Sequence, residues 1–412
     1  MDKNNNKRKI LYLAIGNALE FYDFVLYGIL ATTFVPLFFP ATNPALSVIS
    51  AYVLFSIGFL LRPMGVFLWG HIADKYGRKP VLLITITLVS IPAVGIACLP
   101  TYDAIGIFAP ILLLFFRSIQ GLSYSGEMPT ALACIYELSP KNRTVFYTGL
   151  MEVSAISGTI LALLITILFM LLLPEKDFSE WGWRIPFMVS IIAIIFLSYI
   201  RILFVETLTT KNSHRFPVIQ AIKTQWKSII GIIFLIAPNC ICFYSYTAYI
   251  PNVIKQYTEY THLQSLIFSA LSFFYILIVI FVASYLINKR HVKLILFIAI
   301  SGMFISNFFI HYAIEYNVKT IYLILSILGI GLFLGMLYSV HLPLIVNQSD
   351  CSLRVSSVGL GVNISVVLFG GTAPLVNEYL TNSFNSNITP AIYFMLISLI
   401  ALFCVYKMKN IK

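Results

Sequence analysis

The sequence predicts an all-α membrane protein with twelve transmembrane helices arranged as two six-helix bundles. Three observations predict it. First, the 412-residue chain is 59% hydrophobic and only 10% charged, whereas a soluble domain carries about 25% charged residues. Second, its apolar residues fall into runs long enough to cross a bilayer, where a lone segment can satisfy its backbone only as a helix. Third, one long polar connection, about 206–227, separates six such runs from six others.

The runs are bounded by charge, Pro or Asn. The first, 10–37, follows Lys7-Arg8-Lys9 and closes near Pro36. The second and third, 46–70 and 80–100, flank the basic segment that ends in Arg78-Lys79. The fourth and fifth, 104–137 and 144–173, meet at Ser139-Pro140-Lys141-Asn142-Arg143; both are overlong and so must tilt or project. The sixth, 184–205, starts at Arg184. Beyond the linker come 228–251, 262–287, 292–313, 319–346, 355–381 and 388–407, separated by short stretches rich in Asn, Lys and Arg. The expected units are therefore 1–205, a cytoplasmic linker 206–227, and 228–412.

The net charge of +11 could suggest nucleic acid, but the basic residues are distributed as membrane orientation signals. With the amino terminus inside, Lys and Arg concentrate in 1–9, 71–79, 138–143, 201–227, 288–293, Arg354 and 407–412. Only Lys176, Arg184, Lys255 and Lys319 fall outside, while Arg62 and Arg117 lie within spans. Both termini are expected in the cytoplasm. The cysteines at 98, 134, 240, 242, 351 and 404 mostly fall within spans and form neither a disulfide framework nor a metal set. The first run is too long, and lacks a small-residue cleavage site, to be a removable signal peptide. A faint internal repeat supports the two-bundle division: Gly70–Lys79 and Ser284–Lys293 are basic segments at equivalent places in the two halves.

Charge inside the spans points to function. Glu20 and Asp23 sit in the first run, within Gly16-Asn17-Ala18-Leu19-Glu20-Phe21-Tyr22-Asp23-Phe24. A carboxyl at that depth must be paired, wetted or protonated, so an ion or substrate pathway is the default reading. At 1.5 Å per residue, Glu20, Arg62, Glu127 and Glu152 all lie about 15 Å deep, near the bilayer midplane. On the fourth span Arg117, Gln120, Tyr124 and Glu127 share an arc of about 80°, and Asp23 and Tyr27 share a face of the first. Structural ion pairing is the competing reading, strongest for Arg62. The second half carries almost no deep ionisable group apart from His341 and His311, so charge-dependent chemistry is expected mainly in the first. The second half offers aromatic surface instead, with Phe243, Tyr244, Tyr246 and Tyr249 before Pro251, able to hold a quaternary ammonium or simply to pack. Asn363 and Gly370-Gly371 either line a cavity or let helices approach. Gly329, Gly331 and Gly335 suit helix packing.

Several blocks resemble the major facilitator superfamily. Gly70-x-x-x-Asp74-x-x-Gly77-Arg78-Lys79 resembles its loop between spans two and three, and Arg117-x-x-Gln120-Gly121 its fourth-span signature. The first-span block, Gln120–Glu127, Trp181–Phe187 and Phe369–Pro374 narrow the resemblance to the metabolite:proton symporters, which include proline/betaine, alpha-ketoglutarate, citrate and shikimate permeases. The fourth-span block reads Ser125-Gly126-Glu127 where that branch usually has Gly-Gly-Glu. The stretch before Arg354 lacks its usual Phe-Pro. The chain stops soon after the last span, so the carboxy-terminal coiled coil of the osmosensing members is not expected.

The resemblance implies the major facilitator fold and alternating access by rocking of the two halves. It also implies gating by Gly70, Asp74, Gly77 and Arg78 with Glu137 and Arg143, Asp74 facing a helix end of the second half. Glu20, Asp23, Arg117, Glu127 and Glu152 are the candidates for proton coupling. Tyr27, Arg62, Gln120, Tyr124, Tyr244 and Asn363 are the candidates for substrate contact. The expected activity is proton-coupled uptake of a small metabolite, a zwitterion such as proline or betaine favoured. A dicarboxylate or tricarboxylate, and an uncoupled facilitator or exporter, stand as alternatives. No Walker loop, metalloprotease motif or nucleophile elbow argues for an enzyme. No cofactor, metal or nucleic acid is expected. The partners are the substrate, protons and lipid, for a monomer in a bacterial inner membrane.

Overall fold

The computed structural model describes residues 3–39, 58–202, 216–245, 261–316, 318 and 320–411. Each of the twelve expected spans contains a helix: α1 Lys3–Phe34, α2 Arg62–Lys75, α3 Arg78–Cys98, α4 Phe108–Leu138, α5 Thr144–Leu172, α6 Arg184–Ile202, α7 Pro217–Tyr244, α8 His262–Leu286, α9 Val292–Glu315 and α10 Thr320–Asn347. Then α11 runs as Arg354–Ser365, a π-helical stretch Val366–Gly371, and Ala373–Phe384, and α12 is Thr389–Lys407. Among the described residues there is no β-strand. Nine described helices are long and apolar enough to cross a membrane alone, ten when Glu175–Gly182 is joined to Arg184–Tyr199. α4 falls short because its buried polar stripe lowers its hydropathy.

Packing in the first half is repeated in the second. α1 packs on α5 and α6, and α3 on α4 and α6; α7 likewise packs on α11 and α12, and α9 on α10 and α12. Between the halves α2 meets α11 and α5 meets α8, again a pair related by six helices. Polar hooks hold α1 in place. Asn17 donates to the Met151 carbonyl and to Ser154 Oγ on α5, each at 2.9 Å, and Tyr22 donates to the Pro186 carbonyl at 2.8 Å. At the far end of α1, Phe34 stacks on Trp183 at 4.9 Å, with Phe38 and Phe187 edge-on. The outward face of α6 exposes Ile192, Ile195, Phe196 and Tyr199, a stripe suited to hydrocarbon rather than water.

Two boundaries near the site differ from expectation. α2 runs on to Lys75, so Asp74 sits on a helix and not in a loop. The break comes at Gly77, whose φ of 123° is open to glycine and strained for other residues. α7 starts at Pro217, inside the expected linker and well before 228, because proline is well placed at a first helical turn. Its axis breaks at Gln225, whose φ/ψ is not helical. Residues 203–215 of the linker, and Tyr246, Tyr249 and Pro251, lie outside the described residues.

Candidate functional site

A central cavity of about 90 Å³ lies between the halves. Its wall takes Glu20 and Phe24 from α1, Arg62 from α2, Tyr124 from α4, Glu152 from α5, and Asn239, Cys240, Phe243 and Tyr244 from α7. Tyr338 and His341 of α10 and Asn363 of α11 complete its polar lining. The Arg62 guanidinium is held over aromatic rings, 4.5 Å from the Phe24 centroid, 4.7 Å from Phe59 and 5.6 Å from Tyr124. Such stacking supports a buried cation without neutralising it. Of the residues expected at the substrate, Arg62, Tyr124, Tyr244 and Asn363 reach this space.

Asn363 is placed by a proline on the other half. Pro129 has no N–H, so the Ser125 carbonyl loses its helical partner. Asn363 Nδ2 donates to that carbonyl at 3.2 Å and to the Gly359 carbonyl of its own helix at 2.9 Å. A backbone defect in α4 is thereby converted into a contact between the halves.

Tyr27 and Gln120, also expected to contact substrate, are not in the cavity wall. They hold Arg117. Its guanidinium lies 3.9 Å from the Tyr27 ring centroid, and its Nη1 donates to Gln120 Oε1. Gln120 Nε2 in turn donates to Asp23 Oδ2 at 2.5 Å. All three polar groups are buried. Asp23 and Arg117 thus communicate through a neutral amide, and among the described residues no ion pair joins them directly. Glu127 is likewise buried and outside the cavity wall, accepting from Thr85 Oγ1 on α3 at 3.0 Å. Tyr124 spans the two regions: its ring lines the cavity, and its hydroxyl donates to the Glu20 carbonyl. None of the deep charged groups faces lipid.

One end of the cavity is shut by a polar lattice. Asp74 accepts from Arg78 at 2.7 Å, from the backbone N–H groups of Val355 at 3.3 Å and Ser356 at 2.8 Å, and from Ser356 Oγ at 2.6 Å. A carboxylate there meets both the unsatisfied N–H groups and the positive end of the α11 dipole. Glu137 bridges Arg78 at 3.5 Å and Arg354 at 2.8 Å. Gly70 lets the helices meet, since a Cβ there would lie 3.2 Å from the Ser356 Cα. Asp74, Arg78 and Glu137 therefore meet as expected, but Arg143 does not join them. It is exposed in the α4–α5 connection, and among the described residues no carboxylate pairs with it. Arg354, which opens α11 directly beside Glu137, occupies that role instead.

On the other side of the cavity Phe59 packs edge-on against Tyr244 at 5.1 Å and Phe24 at 5.3 Å. Gly370 and Gly371 make room for these rings rather than lining the cavity; a Cβ on either would come within 2.7 Å of Tyr244 or Phe59. Along α11 the order Ser356, Asn363, Gly371 sets the polar lattice, the cavity and the aromatic closure in sequence. Sequence reading did not select Phe59, Asn239, Cys240, Tyr338, Arg354 or Ser356. His341 was visible as a rare deep ionisable residue, but its partner was not. The signal for Arg354 was its place at a helix start, where its own family pattern is broken.

A profile described as the Major Facilitator Superfamily matches residues 13–353. A Salmonella typhimurium protein named proline/betaine transporter is 28% identical over 100% of this chain and 85% of its own. An Escherichia coli alpha-ketoglutarate permease is 29% identical over 94% of this chain and 89% of its own. Among solved structures, the proton:xylose symporter XylE bound to 6-bromo-6-deoxy-D-glucose superposes with a TM-score of 0.81 at 16% identity, covering 99% of this chain and 96% of that one. Two halves with repeated packing, a central cavity between them and this match agree. The chain belongs to the major facilitator superfamily and is a membrane transporter, not an enzyme.

Proposed function

We propose that this transporter takes up a small zwitterionic solute, of the proline or betaine kind, together with a proton. The observation that carries the reading is the charge of the cavity wall. Among the described residues it contains one guanidinium, Arg62, set against the carboxyls of Glu20 and Glu152, among aromatic rings. Arg62 suits a carboxylate, and the acidic and aromatic surfaces suit an ammonium. A dicarboxylate would need a second cation, and Arg117 lies outside the wall. The names of relatives support both classes; a lone guanidinium among the described lining residues favours the zwitterion.

Asp23 is the proposed proton carrier. A direct ion pair with Arg117 would hold it charged, whereas the intervening Gln120 leaves its carboxyl free to cycle. The halves 1–205 and 228–412 rock about the cavity. The Asp74 lattice seals the cytoplasmic side and the Phe59–Tyr244 contact the other, in a monomer whose termini both face the cytoplasm of a bacterial inner membrane. Purified protein in liposomes should accumulate radiolabelled proline or betaine under an inward proton gradient. Accumulation of alpha-ketoglutarate or citrate with no response to either zwitterion would refute the ranking.

A further inference from the structure

Glu152 of α5 and His341 of α10 approach each other across the interface between the halves, His341 Nε2 lying 3.5 Å from Glu152 Oε1. Both are buried and both line the cavity. On the other side of the imidazole, Nδ1 lies 3.1 Å from the Leu337 carbonyl oxygen. A carbonyl can only accept, so Nδ1 carries the hydrogen. Nε2 then faces a carboxyl oxygen, and the contact is attractive when the two groups carry one proton between them. The proton is carried either as imidazolium facing carboxylate or as neutral imidazole accepting from carboxylic acid; the pair holds one in both forms.

We propose that Glu152 and His341 form a one-proton latch between the two halves, separate from the Asp23 carrier, which lies wholly within the first half. With the proton in place α5 and α10 are held together. When it leaves to water, a carboxylate faces an imidazole lone pair in a mostly apolar wall, and the helices separate. The groups facing the latch are Tyr338 on its own helix, Cys240 and Tyr244 of α7, Glu20 of α1 and Arg62 of α2. Of these, Arg62 alone is a fixed cation, and it is occupied over Phe24 and Phe59. The latch rests on the transport reading for its physiological use, since its opening would release the cavity to one side. Its chemistry does not depend on which solute is carried.

The test is therefore made without substrate. Thermal unfolding of the purified full chain is followed from about pH 6 to about pH 9, for the unsubstituted protein, His341→Gln, Glu152→Gln and the double variant. Separated side chains release the shared proton above about pH 6.5, the ordinary histidine value. The folded pair retains it, so the stabilisation is full below that pH and is lost as pH rises. At about pH 6 each single variant should lower Tm by about 2–4 °C, and the double variant by no more than the worse single one. At about pH 9 the differences should vanish. A Tm loss equal at both pH values, or additive in the double variant, would overturn the latch. Should His341→Gln fail to fold, Glu152→Gln alone reports the same pH dependence. Failure to transport any zwitterion would bear on the proposed substrate and leave this result unchanged.

Discussion

Asp23, Gln120 and Arg117 show how residues picked out one by one along the chain acquire their partners only in three dimensions. All three were selected for charge or polarity at membrane depth, and all three meet. Yet Gln120, expected at the substrate, is the bridge between the other two. The proposed coupling makes a sharp demand on Asp23, whose carboxyl would have to lose and regain a proton in each cycle. Asp23→Asn keeps the shape and an acceptor for Gln120 while removing the titration. Accumulation driven by a pH gradient should be abolished in that variant, while exchange of substrate across liposomes at equal pH persists. Undiminished gradient-driven uptake would exclude Asp23 as the carrier.

At the scale of helices, approach distance decides more than propensity. α4 meets the stretch just before α2 at glycine: a Cβ on Gly121 would lie 1.9 Å from the Gly58 carbonyl oxygen, a backbone atom that no side-chain rotation can remove. Gly121→Val should therefore destabilise the first half by about 1–3 kcal/mol or more, read as a lower thermal midpoint and a lower yield of folded protein. The α2–α11 contact is different in kind, because in the proposed transport cycle it comes apart. In that proposed cycle Asp74 stabilises the start of α11 only while the two helices are together. Asp74→Asn weakens a charge–dipole contact of about 0.3–2 kcal/mol, and so should shift the population towards opening at this end. Alkylation from the cytoplasmic side, resolved by mass spectrometry, should then modify the cavity residue Cys240 faster than in the unsubstituted protein. An unchanged Cys240 rate would argue that the lattice anchors rather than gates.

For the whole molecule, orientation follows from where Lys and Arg lie, a property the fold itself does not record. With basic segments on one side, a tag fused after Lys412 should resist protease added outside intact cells and be cut only after the membrane is opened. Cleavage from outside would invert the topology and, with it, the side closed by Asp74. The described carboxy-terminal residues are consistent with one shared end. Asn347 and Gln348, at the close of α10, hydrogen-bond to the carbonyls of Asn410 and Lys409, in the same region as the Asp350–Gln225 contact.

The sequence by itself determined the membrane class, the twelve spans, the two halves as an expectation and the family. Each of these rests on patterns that local chemistry enforces: apolar length must match bilayer thickness, and charge must lie outside it or be compensated. It also marked the deep charged residues, because burying a charge is costly enough that each one stands out against an apolar run. Only the tertiary structure decided which of them share the cavity. Arg62 and Arg117 are both arginines at depth, and depth alone does not say which of them faces the cavity; helix rotation and packing turn one to the cavity and the other onto Tyr27. Partners drawn from distant helices were equally hidden. Glu152 with His341, Asn363 with the carbonyl freed by Pro129, and Arg354 with Glu137 each join the two halves. The physical reason is that such contacts depend on relative placement of helices, which hydropathy and spacing within one helix do not encode.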